Sequence, residues 1–201
     1  RTWCNRGNHK AIGRKVGGSF VLDADIKGCF DNIDHAALLR KVNTYPRLRK
    51  IIKGWLKAGI LDDGVFQKSD AGTLQGGVVS PLLANIALDG MEEHVKDRLD
   101  EDLFQSTKAR VKREWLPPTC GNRRDARHAM SIIRYADDFV VIHRDKDIVE
   151  KAKEVISYWL AEMGLELKPS KTKIAHTIEN LDGKAGFDFL GCEIKQYRDT
   201  T

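Results

Sequence analysis

Two adjacent carboxylates, Asp137 and Asp138, stand between two short apolar, β-branched runs in Ile132-Ile133-Arg134-Tyr135-Ala136-Asp137-Asp138-Phe139-Val140-Val141-Ile142. The pattern predicts a β-hairpin with Ala136-Asp137 at its tip. Tight hairpin turns ordinarily place Asp beside Gly or Asn, because a central residue needs φ > 0. Ala and Asp in that place mark a strained turn kept for its side chains. Neighbouring carboxylates repel one another, and a divalent cation between them relieves the repulsion. A second acidic segment, Val21-Leu22-Asp23-Ala24-Asp25-Ile26, reads as a buried strand. Alternation puts Leu22, Ala24 and Ile26 on one face and Asp23 with Asp25 on the other. A carboxylate inside such a strand is costly unless a cation or hydrogen bonds satisfy it. A lone Asp more often caps a local turn; the conjunction with Asp137 and Asp138 reverses that preference. One strand carboxylate and the hairpin pair suit two Mg²⁺ ions about 4 Å apart, the arrangement that serves in-line phosphoryl transfer.

These carboxylates need a scaffold, and the chain is punctuated accordingly. Asp34 can cap a helix through about Val42, and Pro46 can open another through Ala58, with Gly59 at its stop. Leu48, Ile51, Ile52, Trp55 and Leu56 mark an apolar face of that second helix, read as core packing. Leu61–Leu74 is expected to be hairpin-like and to lead into Gln75-Gly76-Gly77. Ser80-Pro81 reads as a capping hydroxyl before Pro at the first helical position, with the helix running to about Leu99. The glycines before it allow close backbone approach to a ligand, and the helix start favours negative charge.

Residues 100–130 read as an irregular, basic insertion. It carries Lys108, Arg110, Lys112, Arg113, Arg123, Arg124 and Arg127 around Trp115 and the Pro117-Pro118 break. Such a run suits a solvated face and contact with a nucleic-acid backbone equally well. Ile148, Ala152, Val155, Ile156, Trp159, Leu160 and Met163 recur at helical spacing, and Gly164 is the expected stop. Strands near Leu165–Leu167 and Lys173–Ile178 and a hairpin over Phe187–Ile194 complete the prediction. The histidines show no metal-ligand spacing; His35, His143 and His176 read as surface or packing residues.

The chain has 201 residues, 41% of them hydrophobic, which fits a globular fold rather than a disordered chain. Its net charge of +5 favours a polyanionic partner. The four cysteines, Cys4, Cys29, Cys120 and Cys192, are scattered without a CxxC pair, which argues against a zinc site or a disulfide framework. No apolar run reaches transmembrane length and no signal peptide is present, so an intracellular protein is expected, cytoplasmic in a bacterium or organellar.

The acidic segments lie within longer stretches that resemble known motifs. Asp25-Ile26-Lys27-Gly28-Cys29-Phe30-Asp31-Asn32-Ile33 is similar to the first catalytic motif of group II intron reverse transcriptases. Gly72-Thr73-Leu74-Gln75-Gly76-Gly77-Val78-Val79-Ser80-Pro81-Leu82-Leu83-Ala84-Asn85-Ile86 resembles their nucleotide-binding motif, and Tyr135-Ala136-Asp137-Asp138 resembles their YADD box. Gly164-Leu165-Glu166-Leu167-Lys168-Pro169-Ser170-Lys171-Thr172-Lys173 is similar to the motif that follows. Phe187-Asp188-Phe189-Leu190-Gly191 resembles the primer-grip hairpin. The five occur in order over most of residues 21–194.

The resemblance implies an α+β right-hand polymerase palm, an antiparallel sheet backed by helices, over residues 21–194. It also implies fingers elements at about 43–75, a partial fingers remnant at 1–20, and at 195–201 the start of a connection to an absent thumb. It implies RNA-directed DNA polymerisation with two Mg²⁺ ions, Mn²⁺ being a substitute, held by Asp25, Asp137, Asp138 and the carbonyl of Ile26. Phe30 would exclude a ribose 2′-OH. Gln75, Gly76 and Lys171 would contact the nucleotide, with Lys168 and Lys173 as rivals of Lys171. Tyr135, Phe189, Leu190 and Gly191 would position the primer. Implied partners are an RNA template, a DNA primer, deoxynucleoside triphosphates and a cognate group II intron RNA whose splicing and mobility the parent protein would assist. A non-polymerising RNA-binding maturase scaffold, and the reverse transcriptase of a retron, diversity-generating or CRISPR-associated system, are alternatives on the same palm.

Overall fold

The computed structural model describes residues 18–57, 60–62, 65–67, 79–181 and 185–197. In chain order the elements are β1 (Phe20–Asp25), α1 (Cys29–Asn32), α2 (His35–Val42), α3 (Pro46–Lys57), β2 (Ile60–Asp62), β3 (Val65–Gln67), α4 (Ser80–Leu88), α5 (Met91–Arg98) and α6 (Asp100–Arg113). There follow α7 (Arg123–Ala129), β4 (Ser131–Tyr135), β5 (Asp138–His143), α8 (Lys146–Ala161), β6 (Lys173–His176), β7 (Phe187–Phe189) and β8 (Cys192–Ile194), with 3₁₀ turns at Pro118–Gly121 and Pro169–Lys171. The chain divides into two compact units. One comprises residues 1–25, 92–156 and 169–201, the other 26–91 and 157–168.

The first unit is built on a four-stranded antiparallel sheet of order β4-β5-β1-β6. The register pairs Val21 with Ile142, Asp23 with Val140 and Asp25 with Asp138. Val21, Asp23 and Asp25 therefore share a face with Asp138, Val140 and Ile142. That face is acidic at one end and apolar at the other. The hairpin β7–β8 covers the apolar end: Phe187 and Phe189 pack with Val21, Val140 and Ile142, flanked by Ile133, Ala175 and Ile194. Burying each ring contributes about 2–3 kcal/mol. On the opposite face Leu22, Ala24, Phe139 and Val141 are buried. The turn joining β7 to β8 holds Leu190 and Gly191 at φ 52° and 75°, the double positive φ that matches strand twist in a two-residue loop.

Residues 100–130, expected to be irregular, are mostly helical. Acidic residues near the start of α6 supply what the sequence pattern did not show, partners for the basic ones. Arg123 pairs with Asp100 and, at 2.8 Å, with Glu101. Arg127 reaches Asp97 at 2.7 Å and Glu93 at 2.9 Å. Lys108 lies over the Phe104 ring. The single helix expected from Ser80 to Leu99 is also broken. Val79, not Ser80, occupies the capping position, and no side chain bonds the cap. The chain leaves α4 at Asp89, whose backbone is extended, and turns at Gly90 with φ 80° before α5 begins. Glycine adopts that conformation without steric penalty, which makes the break inexpensive.

In the second unit Asp34 caps α2 as expected, its Oδ1 accepting from the Ala37 amide at 2.6 Å. Lys41 donates to the carbonyl of Ala87 at 2.7 Å, satisfying the end of α4. On α3 only Ile52 and Leu56 are fully buried; Ile51 and Trp55 are exposed, which corrects the expectation of a single core face. The apolar stripe is wider than the surface available to cover it. Gly164 stops the helical run as expected. Its φ is 74°, its amide donates to Ala161 and that of Leu165 to Leu160, both at 3.0 Å, the paired bonds of a Schellman ending.

Candidate active site

The β1–β5 register is what assembles the site. Asp25 ends β1 and Asp138 begins β5, directly opposite. Cα atoms of such antiparallel pairs are about 5 Å apart. Asp137 precedes Asp138 in the two-residue turn between Tyr135 and Asp138, which are themselves paired. Ala136 sits in that turn at φ 54°, so the strain read from the sequence is present. Arg134 donates from Nη1 to the Ala136 carbonyl at 3.0 Å and holds the turn closed. Sequence reasoning missed Arg134; its position two residues before the turn is the only signal it offers.

Asp25 is buried, and Lys171 Nζ forms an ion pair with its Oδ2. Asp25 is the main reason the Lys171 ammonium holds its proton more tightly than an ordinary lysine; Asp138 and Asp137 add to the effect. Burial first, then the charges of Asp25 and Asp137, push the Asp138 carboxyl above its ordinary value, with Lys171 opposing. Asp23 behaves differently. It faces Lys173 in the next strand, and their side chains approach to 3.4 Å. Burial raises its carboxyl, Lys173 pulls it back, and Asp138 and Asp188 raise it further. Asp23 thus holds a neighbouring basic side chain, the alternative role open to it.

The donor set fits a hard divalent cation in type and charge: three carboxylates, with Asp25 and Asp137 close enough to raise the Asp138 carboxyl, and a lysine ammonium as the counter-charge. Among the described residues, no three acidic, His or Cys side chains close around one ion position. A fully formed metal cluster is therefore not what this arrangement displays; Lys171 occupies Asp25 instead. Ile26, the next residue, is buried and bridges to Leu167 in the second unit.

The remaining predicted residues separate by exposure. Tyr135 is exposed beside the acidic pair. Leu190 and Gly191 are exposed at their hairpin tip, whereas Phe189 is buried in the core, so its contact with a primer gives way to holding the hairpin. Phe30 lies half-buried on α1. Gln75 and Gly76 lie outside the described residues. His143 and His176 are buried packing residues. Arg123 and Arg127 are engaged by carboxylates, as described above. Lys112, Arg113 and Arg124 are exposed, and Arg110 is half-buried.

An antiparallel sheet carrying carboxylates at one strand end defines a palm-like α+β fold, and sequence comparison gives the family. The chain belongs to the reverse transcriptase (RNA-dependent DNA polymerase) family, whose pattern matches residues 3–194. It is 30% identical over 231 residues to the group II intron-encoded protein LtrA of Lactococcus lactis subsp. cremoris, covering 96% of this chain and 38% of that protein. It is 32% identical over 187 residues to protein YkfC of Escherichia coli K12, covering 87% of this chain and 46% of that protein. The chain thus spans less than half the length of these relatives. Among solved structures it resembles apo telomerase of Candida tropicalis, with a TM-score of 0.59 and 17% identity over 94% of this chain and 36% of that one. Telomerase of Candida albicans, solved with a TWJ fragment of telomeric RNA, gives 0.60 and 17% over 94% and 31%. These structural likenesses establish the polymerase palm fold. No helix among the described residues is long and apolar enough to cross a membrane.

Proposed function

We propose that this chain supplies the palm, with part of the fingers, of a group II intron-encoded reverse transcriptase, and that it extends a DNA primer with deoxynucleoside triphosphates along an RNA template. The observation that carries this reading is the register opposing Asp25 and Asp138, with Asp137 in the adjoining turn, inside a chain of this family. Asp25, Asp137, Asp138 and the carbonyl of Ile26 are the groups that would hold Mg²⁺, or Mn²⁺ in its place. Bound there, the metal would supply acidity for the primer 3′-hydroxyl and positive charge for the departing pyrophosphate.

The chain's own residues do the rest. Lys171, more than half exposed and firmly protonated, can turn from Asp25 toward triphosphate oxygens. Tyr135 and the Leu190-Gly191 tip support the primer end. Gln75 and Gly76 contact the nucleotide, and Phe30 presses against its sugar. The parent protein binds its cognate intron RNA and assists splicing and mobility.

Primer extension on matched RNA and DNA templates tests the reading. The unaltered chain extends the primer on RNA, and Asp137→Asn does not; full activity in that variant would refute the role of the carboxylates. Phe30→Val raises ribonucleotide incorporation relative to deoxynucleotide by about tenfold or more, since discrimination by exclusion disappears with the ring. An unchanged ratio in competition assays would assign Phe30 to packing alone.

A further inference from the structure

The first unit holds a second polar recess, at the end of β5 remote from the catalytic carboxylates. Five residue steps separate Asp138 from His143, a span of about 17 Å along a strand. The recess is lined by Arg110 and Arg113 of α6 and by His143, Arg144 and Asp145, with Ser106 beside them. The lining thus carries three guanidinium groups and one carboxylate, Asp145, which already accepts from Ser106 Oγ. Arg144 Nη1 donates to Glu114 at 3.2 Å. Among the described residues the buried Nε atoms of Arg110 and Arg144 have no hydrogen-bond partner. Buried N–H groups of a cation are costly when unpaired, and the matching acceptor is an oxyanion. Last-turn arginines also complement the α6 dipole, but that role uses their charge and leaves these N–H groups unsatisfied. The recess has about 40 Å³, room for a group the size of a phosphate and not for a nucleoside.

Just beyond α6 stands Trp115, 93% exposed and held at φ 52°. Bonds from Glu114 to the Arg110 carbonyl, 2.8 Å, and from Leu116 to the Val111 carbonyl, 3.1 Å, fix the turn on either side of it. An exposed indole two residues beyond Arg113 in the chain, together with a phosphate-sized basic recess, has the parts of a single-strand nucleic-acid site: arginines for the backbone and an aromatic face for a base.

We propose that Arg110, Arg113 and Arg144 bind a backbone phosphate of single-stranded RNA, and that Trp115 stacks on an adjoining base, at a docking site separate from the catalytic carboxylates. The choice of RNA rests on the reverse transcriptase reading above. Arg123 and Arg127 are excluded from the site because two carboxylates hold each of them, whereas Arg144 has a single longer contact, to Glu114.

Binding of a fluorescein-labelled 20-nucleotide RNA to the full chain, titrated across salt concentrations, tests the site. Arg113→Gln, alone and with Arg144→Gln, weakens binding and flattens the dependence of log affinity on log salt by about 0.7 for each phosphate no longer neutralised. Trp115→Ala weakens binding about tenfold and leaves the slope unchanged. Arg123→Gln alters neither. Inorganic phosphate alone, titrated into the same proteins, separates the two sources of the anion: weak competition with RNA is expected. Phosphate binding that is lost in the arginine variants while RNA affinity stays intact would overturn the proposal. So would wild-type affinity and slope in both Arg113→Gln and Trp115→Ala, with folding verified by circular dichroism. Asp137→Asn retains RNA binding while losing extension, so failure of the polymerase reading and failure of this site give different patterns.

Discussion

Asp25→Asn lowers single-nucleotide incorporation by about 10³-fold, equivalent to about 4 kcal/mol of transition-state stabilisation, while Asp23→Asn costs less than about threefold. The two side chains lie two residues apart on one face of β1, yet the register gives them different company. Asp25 is opposite Asp138 and beside the catalytic turn. Asp23 is opposite Lys173 at the next strand, where its charge is matched within the sheet. Removing the Asp25 charge takes away one of the proposed cation ligands and leaves the Lys171 ammonium without its main partner. Removing the Asp23 charge eliminates a carboxylate whose burial already disfavours ionisation. Rapid-quench measurement at saturating Mg²⁺ and nucleotide separates the two. Equal losses in both variants would mean that the strand face, rather than the position of Asp25, is what matters.

Gly186→Ala destabilises the protein by about 3 kcal/mol, whereas Gly191→Ala costs about 1 kcal/mol. Both glycines have positive φ, 90° and 75°, so both substitutions strain the backbone. Their surroundings differ. A Cβ at Gly186 would lie 2.4 Å from the Ile194 carbonyl oxygen and 2.6 Å from the Lys195 Cβ, whereas a Cβ at Gly191 meets open space. The Ile194 carbonyl is backbone and cannot rotate away, so β8 must move and the Phe187 and Phe189 rings lose their seat on Val21, Val140 and Ile142. Urea denaturation resolves the difference. Equal midpoints for the two variants would show that hairpin placement is not limited by this close approach.

Much of this arrangement is legible in local sequence. Alternation through Val21–Ile26 put Asp23 and Asp25 on one face, and Asp34 and Gly164 marked helix ends by their own chemistry; that Asp138 shares the face follows only from the pairing of β1 with β5. What was not legible depends on partners distant in the chain. The basic residues between Lys108 and Arg127 looked free because the carboxylates that hold Arg123 and Arg127 are 22 to 34 positions earlier. Phe189 looked available to a ligand because its burial is decided by strands β1 and β5. Trp55 and Ile51 looked buried because periodicity reports apolarity, not whether anything covers it. The Asp89-Gly90 turn was overridden by the apolar periodicity on both sides, although the Gly alone permits the break.

The strict pairing of β1 with β5 also makes the site sensitive to the parity of insertions. One residue added inside Phe20–Asp25 would send the terminal carboxylate to the side where Leu22, Ala24 and Phe139 lie buried, so the site would be lost and the strand's core packing with it. Two added residues would return it to the original side, displaced along the strand by about 7 Å. Length changes inside β1 therefore count as odd or even.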